Sequence, residues 1–118
     1  MSQGNQIQLE QMGDTVLFDI QGDLTVQSEP ILKGAYESAN EQEARKILLR
    51  FQDGAYINSG GIAVLIQFLS QTRKNNQRIG ILGLSDHFKK IFNMVGITKF
   101  ATIYQTQEEA LKGLSDGR

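Results

Sequence analysis

Tyr56-Ile57-Asn58-Ser59-Gly60-Gly61-Ile62-Ala63-Val64-Leu65 is the stretch on which the fold of this chain turns. Before it lies Lys46-Ile47-Leu48-Leu49-Arg50-Phe51, a short, mostly apolar run of the kind that forms a strand covered on both faces. Gln52-Asp53-Gly54 makes a polar turn between the two. Beyond it Ile62, Leu65, Ile66 and Leu69 recur at i, i+3, i+4 and i+7, an apolar stripe on a helix that runs from Ser59 to about Lys74. Ser59 stands where backbone N–H groups lack intrahelical partners and the helix dipole is positive. A hydroxyl there can cap the helix or carry a phosphate. The sequence leaves both uses open.

Towards the N-terminus, Ile7-Gln8-Leu9-Glu10-Gln11 alternates apolar and polar residues, Met12-Gly13-Asp14 turns, and Thr15-Val16-Leu17-Phe18-Asp19-Ile20 reads as the return strand of a hairpin. Gly22-Asp23-Leu24 follows as a loop. Ser28 is expected to cap the next helix, with Pro30 in its first turn and Ile31, Leu32, Ala35, Tyr36 and Ala39 on its inner face. Towards the C-terminus, Asn75-Asn76 ends the central helix and Arg78-Ile79-Gly80-Ile81-Leu82 is a further strand. Ser85-Asp86 caps a short helix closed by Gly96, whose Phe88, Phe92 and Met94 are expected in the core. Phe100-Ala101-Thr102-Ile103-Tyr104 reads as the last strand, and Thr106 caps a C-terminal helix. After the hairpin, strands and helices alternate. The expected architecture is an α/β layer with a partly parallel sheet of four or five strands and about four helices.

At 118 residues one domain, spanning 1–118, is the expectation. A net charge of −1 gives no electrostatic footprint for nucleic acid or an anionic membrane. The chain contains no cysteine, so disulfides and thiolate chemistry are out. The single histidine, His87, has only Asp86 as an acidic neighbour, and that residue suits a cap; His87 reads as solvated, and no metal or cofactor site is expected. G-x-G-x-x-G, Walker A and G-x-S-x-G patterns are absent, and no catalytic residue is assigned: the chain does not read as an enzyme. With no membrane-length apolar run and no signal-like start, membrane insertion is not expected and the expected location is cytoplasmic.

Several segments together resemble the STAS domain, in particular its free-standing bacterial form, the anti-sigma factor antagonists. These are Gly22-Asp23-Leu24 after the second strand, Ser28 at the first helix, and Asn58-Ser59-Gly60-Gly61-Ile62-Ala63-Val64-Leu65, which is similar to the family's Asp-Ser-Ser/Thr-Gly-Leu-Gly-Val-Leu signature. Phe88-Lys89-Lys90-Ile91-Phe92-Asn93-Met94-Val95-Gly96-Ile97 resembles the family's glycine-capped helix, and the likeness covers nearly the whole chain. The resemblance implies a partner switch that regulates transcription. The antagonist binds an anti-sigma factor that is also a serine kinase, is released when phosphorylated, and is restored by a metal-dependent serine phosphatase. It implies phosphorylation of Ser59, with Asp23, Leu24, Tyr56, Ile57, Asn58, Gly60, Gly61 and Ile62 in the partner-binding surface, on a monomer or weak dimer. Tyr56 and Ile57 read equally as interface residues or as cover for the end of the sheet. The chain departs from the signature at Asn58, where the family has Asp, and at Gly60, where it has a second hydroxyl residue. The departure at Asn58 keeps alive an unmodified STAS scaffold subunit of a lipid-transport or stress-signalling assembly. A small-ligand or nucleotide-binding regulatory module, using the helix start as an anion site, is a further alternative.

Overall fold

The computed structural model describes residues 6–115; the outer ends of the expected 1–118 domain lie outside them. Strand β1 (Gln6–Met12) turns through Gly13 and Asp14 into β2 (Thr15–Gln21). A 3₁₀ turn (Val26–Ser28) leads into α1 (Glu29–Glu41), and then come β3 (Lys46–Phe51), α2 (Ser59–Lys74), β4 (Arg78–Leu82) and α3 (Asp86–Val95). A second 3₁₀ turn (Ile97–Lys99) precedes β5 (Thr102–Ile103), and α4 (Gln107–Ser115) ends the described chain. The sheet order is β1-β2-β3-β4-β5, antiparallel in the hairpin and parallel at the other three pairings. Five strands and four α-helices fulfil the expected α/β architecture.

Strand periodicity divides the core between the two faces of the sheet. Val16, Phe18 and Ile20 on β2, Ile47, Leu49 and Phe51 on β3, and Ile79 and Ile81 on β4 point to the side covered by α1, α2 and α3. That placement follows from handedness, because three successive right-handed crossovers stepping the same way put their helices on one face. Leu17, Leu48 and Leu82 point to the other side, where Ala110 and Leu114 of α4 cover them. Arg50 fastens α4 there, donating to Gln107 Oε1 (2.8 Å) while paired with Asp19 (3.3 Å). At the far end of the sheet, a hydrogen bond from Lys46 Nζ (2.6 Å) ties the hairpin turn to β3 and holds the Asp14 carboxyl below its ordinary pKa. No helix among the described residues is long and apolar enough to cross a membrane.

Four local expectations need correction. Ser28 does not cap α1: its hydroxyl turns back to accept the Thr25 N–H (2.9 Å), and Thr25 caps the 3₁₀ turn by accepting from Gln27 N–H (3.1 Å). The buried stripe of α2 is Gly61, Val64, Leu65, Phe68, Leu69 and Thr72, with Ile62 and Ile66 at its edge rather than its centre. The helix is rotated because Gly61 faces the Leu24 backbone and Phe68 packs between Phe18 and Tyr36. Met94 is 83% exposed, two residues and about 200° around α3 from the buried Phe92. The last strand shrinks to Thr102–Ile103, because the turn Ile97–Lys99 takes up the chain before it.

Candidate functional site

The carboxyl ends of β2 and β3 run into two loops, and ladder-like bonds lace these loops together. Leu24 N–H donates to Tyr56 O (2.9 Å), Asn58 N–H donates to Leu24 O (3.2 Å), and Leu24 and Ile57 form an isolated parallel bridge. Asp23 Oδ1 accepts the Tyr56 N–H (3.1 Å), and Gln52 Oε1 accepts the Gly22 N–H (3.1 Å). The two loops thus extend the β2–β3 pairing past the ends of the strands. From this platform α2 rises.

The bridge decides where the proposed docking residues sit. Leu24 is 0% and Ile57 3% exposed, so neither side chain presents surface to a partner, contrary to the docking role expected of Leu24, whereas Ile57 takes the second of its two readings, as cover for the end of the sheet. A parallel bridge alternates its side chains, and here alternation sends Leu24 and Ile57 into the core while leaving Asp23 exposed and Tyr56 57% exposed. Ile62 is half-buried and Gly60 is partly accessible. One residue that the sequence reading passed over joins them: Val26, 62% exposed, whose Cβ lies 3.1 Å from where a Cβ on Gly60 would stand. Its signal was an apolar residue two positions after the Gly22-Asp23-Leu24 loop.

At the start of α2 the labour is divided between neighbours. Asn58 is the N-cap, with extended backbone (φ −88°, ψ 179°), and its Oδ1 accepts the Gly61 N–H (2.8 Å). Ser59 is therefore not the cap. It is the first helical residue, exposed, and its hydroxyl has no hydrogen-bond partner among the described residues. Gly61 is buried hard against the β2 loop: a Cβ built there would lie 2.2 Å from Leu24 O and 2.6 Å from Leu24 C. Only a residue without a side chain lets the helix start so close to the platform. Asn58→Ala is expected to remove the cap and cost about 1 kcal/mol, read as a lower urea midpoint at unchanged slope.

Aromatic rings continue this end of the molecule towards α3. Tyr56 meets Phe88 edge to face (centroids 5.9 Å apart), and the exposed His87 lies 5.0 Å from the same ring. Lys89 pairs at long range with Asp86 (3.9 Å), a surface contact worth little. A groove of about 370 Å³ runs between α1 and α2, lined by Tyr36, Phe68, Lys33 and Gln71 among others; Ser59 is not part of it. No group of three His, Cys, Asp or Glu able to hold a metal ion occurs among the described residues. Around the free hydroxyl the molecule presents a laced pair of loops with apolar side chains standing out of it, a geometry suited to being gripped by a partner.

Comparison with known proteins supplies a context for this geometry. The STAS domain family model matches residues 6–110. An anti-sigma-B factor antagonist of Staphylococcus aureus (strain NCTC 8325 / PS 47) is 25% identical over 76 residues, covering 64% of this chain and 70% of that protein. The crystal structure of an anti-sigma factor antagonist from Mycobacterium paratuberculosis superposes with a TM-score of 0.80 at 15% identity, covering 96% of each chain. The phosphorylated form of the Bacillus cell fate determinant SpoIIAA gives 0.63 at 21% identity, over 90% of this chain and 96% of that one. At these identities the two structures speak for the fold alone.

Proposed function

The chain belongs to the STAS domain family, and from that premise we propose that it is an anti-sigma factor antagonist switched by phosphorylation of Ser59. The observation that carries this reading is the exposed hydroxyl of Ser59, relieved of capping duty by Asn58 at the start of α2. The unmodified chain docks through Asp23, Val26, Tyr56, Gly60 and the accessible edge of Ile62 onto an anti-sigma factor that is a serine kinase. Leu24, Ile57, Asn58 and Gly61 act behind that surface by fixing the two loops and the helix start. Transfer of a phosphoryl group to Ser59 ends the complex, and a metal-dependent serine phosphatase resets it. The S. aureus relative, an anti-sigma-B factor antagonist, supports an anti-sigma factor as the partner, and the phosphorylated form of SpoIIAA supports phosphorylation as a modification that this fold accommodates.

The switch is electrostatic. A phosphoserine brings about −1.5 to −2 charges at neutral pH. Within the monomer the first-turn N–H groups and the helix dipole favour that charge. In the docked complex it must be desolvated or opposed by like charge, a penalty of several kcal/mol. No conformational change is required.

A second reading, an unmodified scaffold subunit, draws on one observation: the side chain next to Ser59 is an amide already engaged as a cap, not a carboxylate free to orient the hydroxyl. Intact mass after incubation with ATP and a serine kinase of the anti-sigma type separates the two. The switch predicts a gain of one phosphate, about 80 Da, which Ser59→Ala abolishes. Kinase binding with no mass gain would replace the switch by the scaffold.

A further inference from the structure

The two edges of the sheet are finished differently. β5 is two residues long and α4 begins after only three more, Tyr104 to Thr106, which leaves little open ladder. β1 is seven residues long and pairs with β2 through seven consecutive residue pairs without a bulge. It contains no proline and no lysine, and Glu10 is its one charged residue. Long, regular edges of this kind pair with other strands unless bulges, Lys, Pro or a covering element blunt them. Among the described residues none of these devices is present on β1.

The hairpin turn fixes which groups point outward. Gly13 (φ +63°) and Asp14 form a two-residue turn that closes Met12 on Thr15. Such a turn closes on a hydrogen-bonded pair, and antiparallel bonding alternates from there. The N–H and C=O groups of Ile7, Leu9 and Gln11 therefore point away from β2.

We propose that β1 is a self-association edge, at which a second copy of this chain pairs its own β1 antiparallel about Leu9 and joins two five-stranded sheets into one. The strand is self-complementary in that register. Sheet faces are preserved, because each residue meets a partner of the same parity. Gln8 stands opposite Glu10 of the second copy at both ends, so no like charges meet. Leu9 stands opposite Leu9 on the face that packs against the helical core, where it is half-buried and has surface left to cover. A net charge of −1 per chain opposes association weakly. The Ser59 platform is built by the loops after β2 and β3 and contains no residue of β1. One ladder of this length makes a weak, concentration-dependent dimer.

Sedimentation equilibrium of the full chain tests this. The mass is expected to rise from 13.2 kDa towards twice that value as concentration climbs through the high micromolar range. Gln11→Pro removes an outward donor while leaving the β1–β2 ladder whole, and is expected to stay monomeric where Gln11→Ala still associates. Gln8→Glu opposes like charges twice and is expected to weaken the dimer roughly two- to thirty-fold; adding Glu10→Lys restores it. These exposed changes leave the core untouched, and circular dichroism verifies the fold. If Gln11→Pro proves unfolded, the charge pair of variants decides alone. Monomer mass at all concentrations overturns the proposal. So does a dimer indifferent to the charge variants, because the copies would then meet elsewhere.

Discussion

Gly61→Ala is expected to destabilise the protein by about 3 kcal/mol, at the upper end of overpacking costs. The added Cβ would lie 2.2 Å from the Leu24 carbonyl oxygen and 2.6 Å from its carbon. Neither atom is the tip of a flexible side chain, so relief requires moving the β2 loop or the start of α2. Either movement strains the Asn58 N–H to Leu24 O bond and the Leu24–Ile57 bridge. Intrinsic propensity runs the other way, since alanine is favoured over glycine within a helix by up to about 1 kcal/mol. Gly34 provides the matched contrast. It is also helical, in α1, and a Cβ there meets nothing within 4 Å. Gly34→Ala is therefore expected to stabilise by about 0.5–1 kcal/mol, so the same substitution takes opposite signs at two helical glycines. Gly60→Ala should fall between, because its nearest neighbours, Val26 Cβ at 3.1 Å and Val26 N at 3.2 Å, are tight but need shift by only a fraction of what Gly61 would demand. Urea titrations of the three variants measure this directly. A Gly61→Ala midpoint equal to wild type would refute the close approach of α2 to the loop.

Phosphorylation of Ser59 is expected to weaken binding to the serine kinase by about 100- to 1000-fold, the equivalent of roughly 3–4 kcal/mol. The stability of the free monomer should change little, or rise by about 0.3–1 kcal/mol from the charge at the helix N-terminus. Ser59→Ala should bind the kinase nearly as well as the unmodified chain, because the hydroxyl makes no hydrogen bond among the described residues that its removal would break. Ser59→Glu carries one negative charge in place of about two and should give an intermediate loss. Calorimetric titration of the phosphorylated, unmodified and substituted chains against one kinase measures all four. Equal affinities for phosphorylated and unmodified protein would end the switch proposal. A large loss for Ser59→Ala would show instead that the hydroxyl is a direct contact.

The hairpin, the extents of β3, α2 and β4, and the Ser85 and Gly96 caps of α3 were all legible in the sequence, because each depends on residues a few positions apart. The rotation of α2 was not. Gly61 to Leu69 is apolar nearly all round, so periodicity offers more than one stripe, and contact with Leu24, Phe18 and Tyr36 selects among them. The cap was ambiguous for a similar reason, since Asn58 and Ser59 are both good capping residues. The burial of Gly61 against Leu24 sets the register and gives the task to Asn58. Leu24 and Ile57 looked accessible because each lies in a loop. Their bridge joins positions 33 residues apart, and no local pattern announces it. Ser59 itself was legible as the helix start, whereas its freedom from capping was not.

Strand order in the sheet is strand order in the chain, and this shapes how the molecule is made. During synthesis the β1–β2 hairpin emerges first, and each later strand finds its neighbour already formed on the growing edge. Every crossover closes a loop of modest length, so the entropy of each pairing is met in small instalments. The Leu24–Ile57 bridge joins the loops after β2 and β3 and needs no residue of α3 or α4. The loop platform beneath Ser59 is thus built from the first half of the chain, and α3 completes it when Phe88 meets Tyr56.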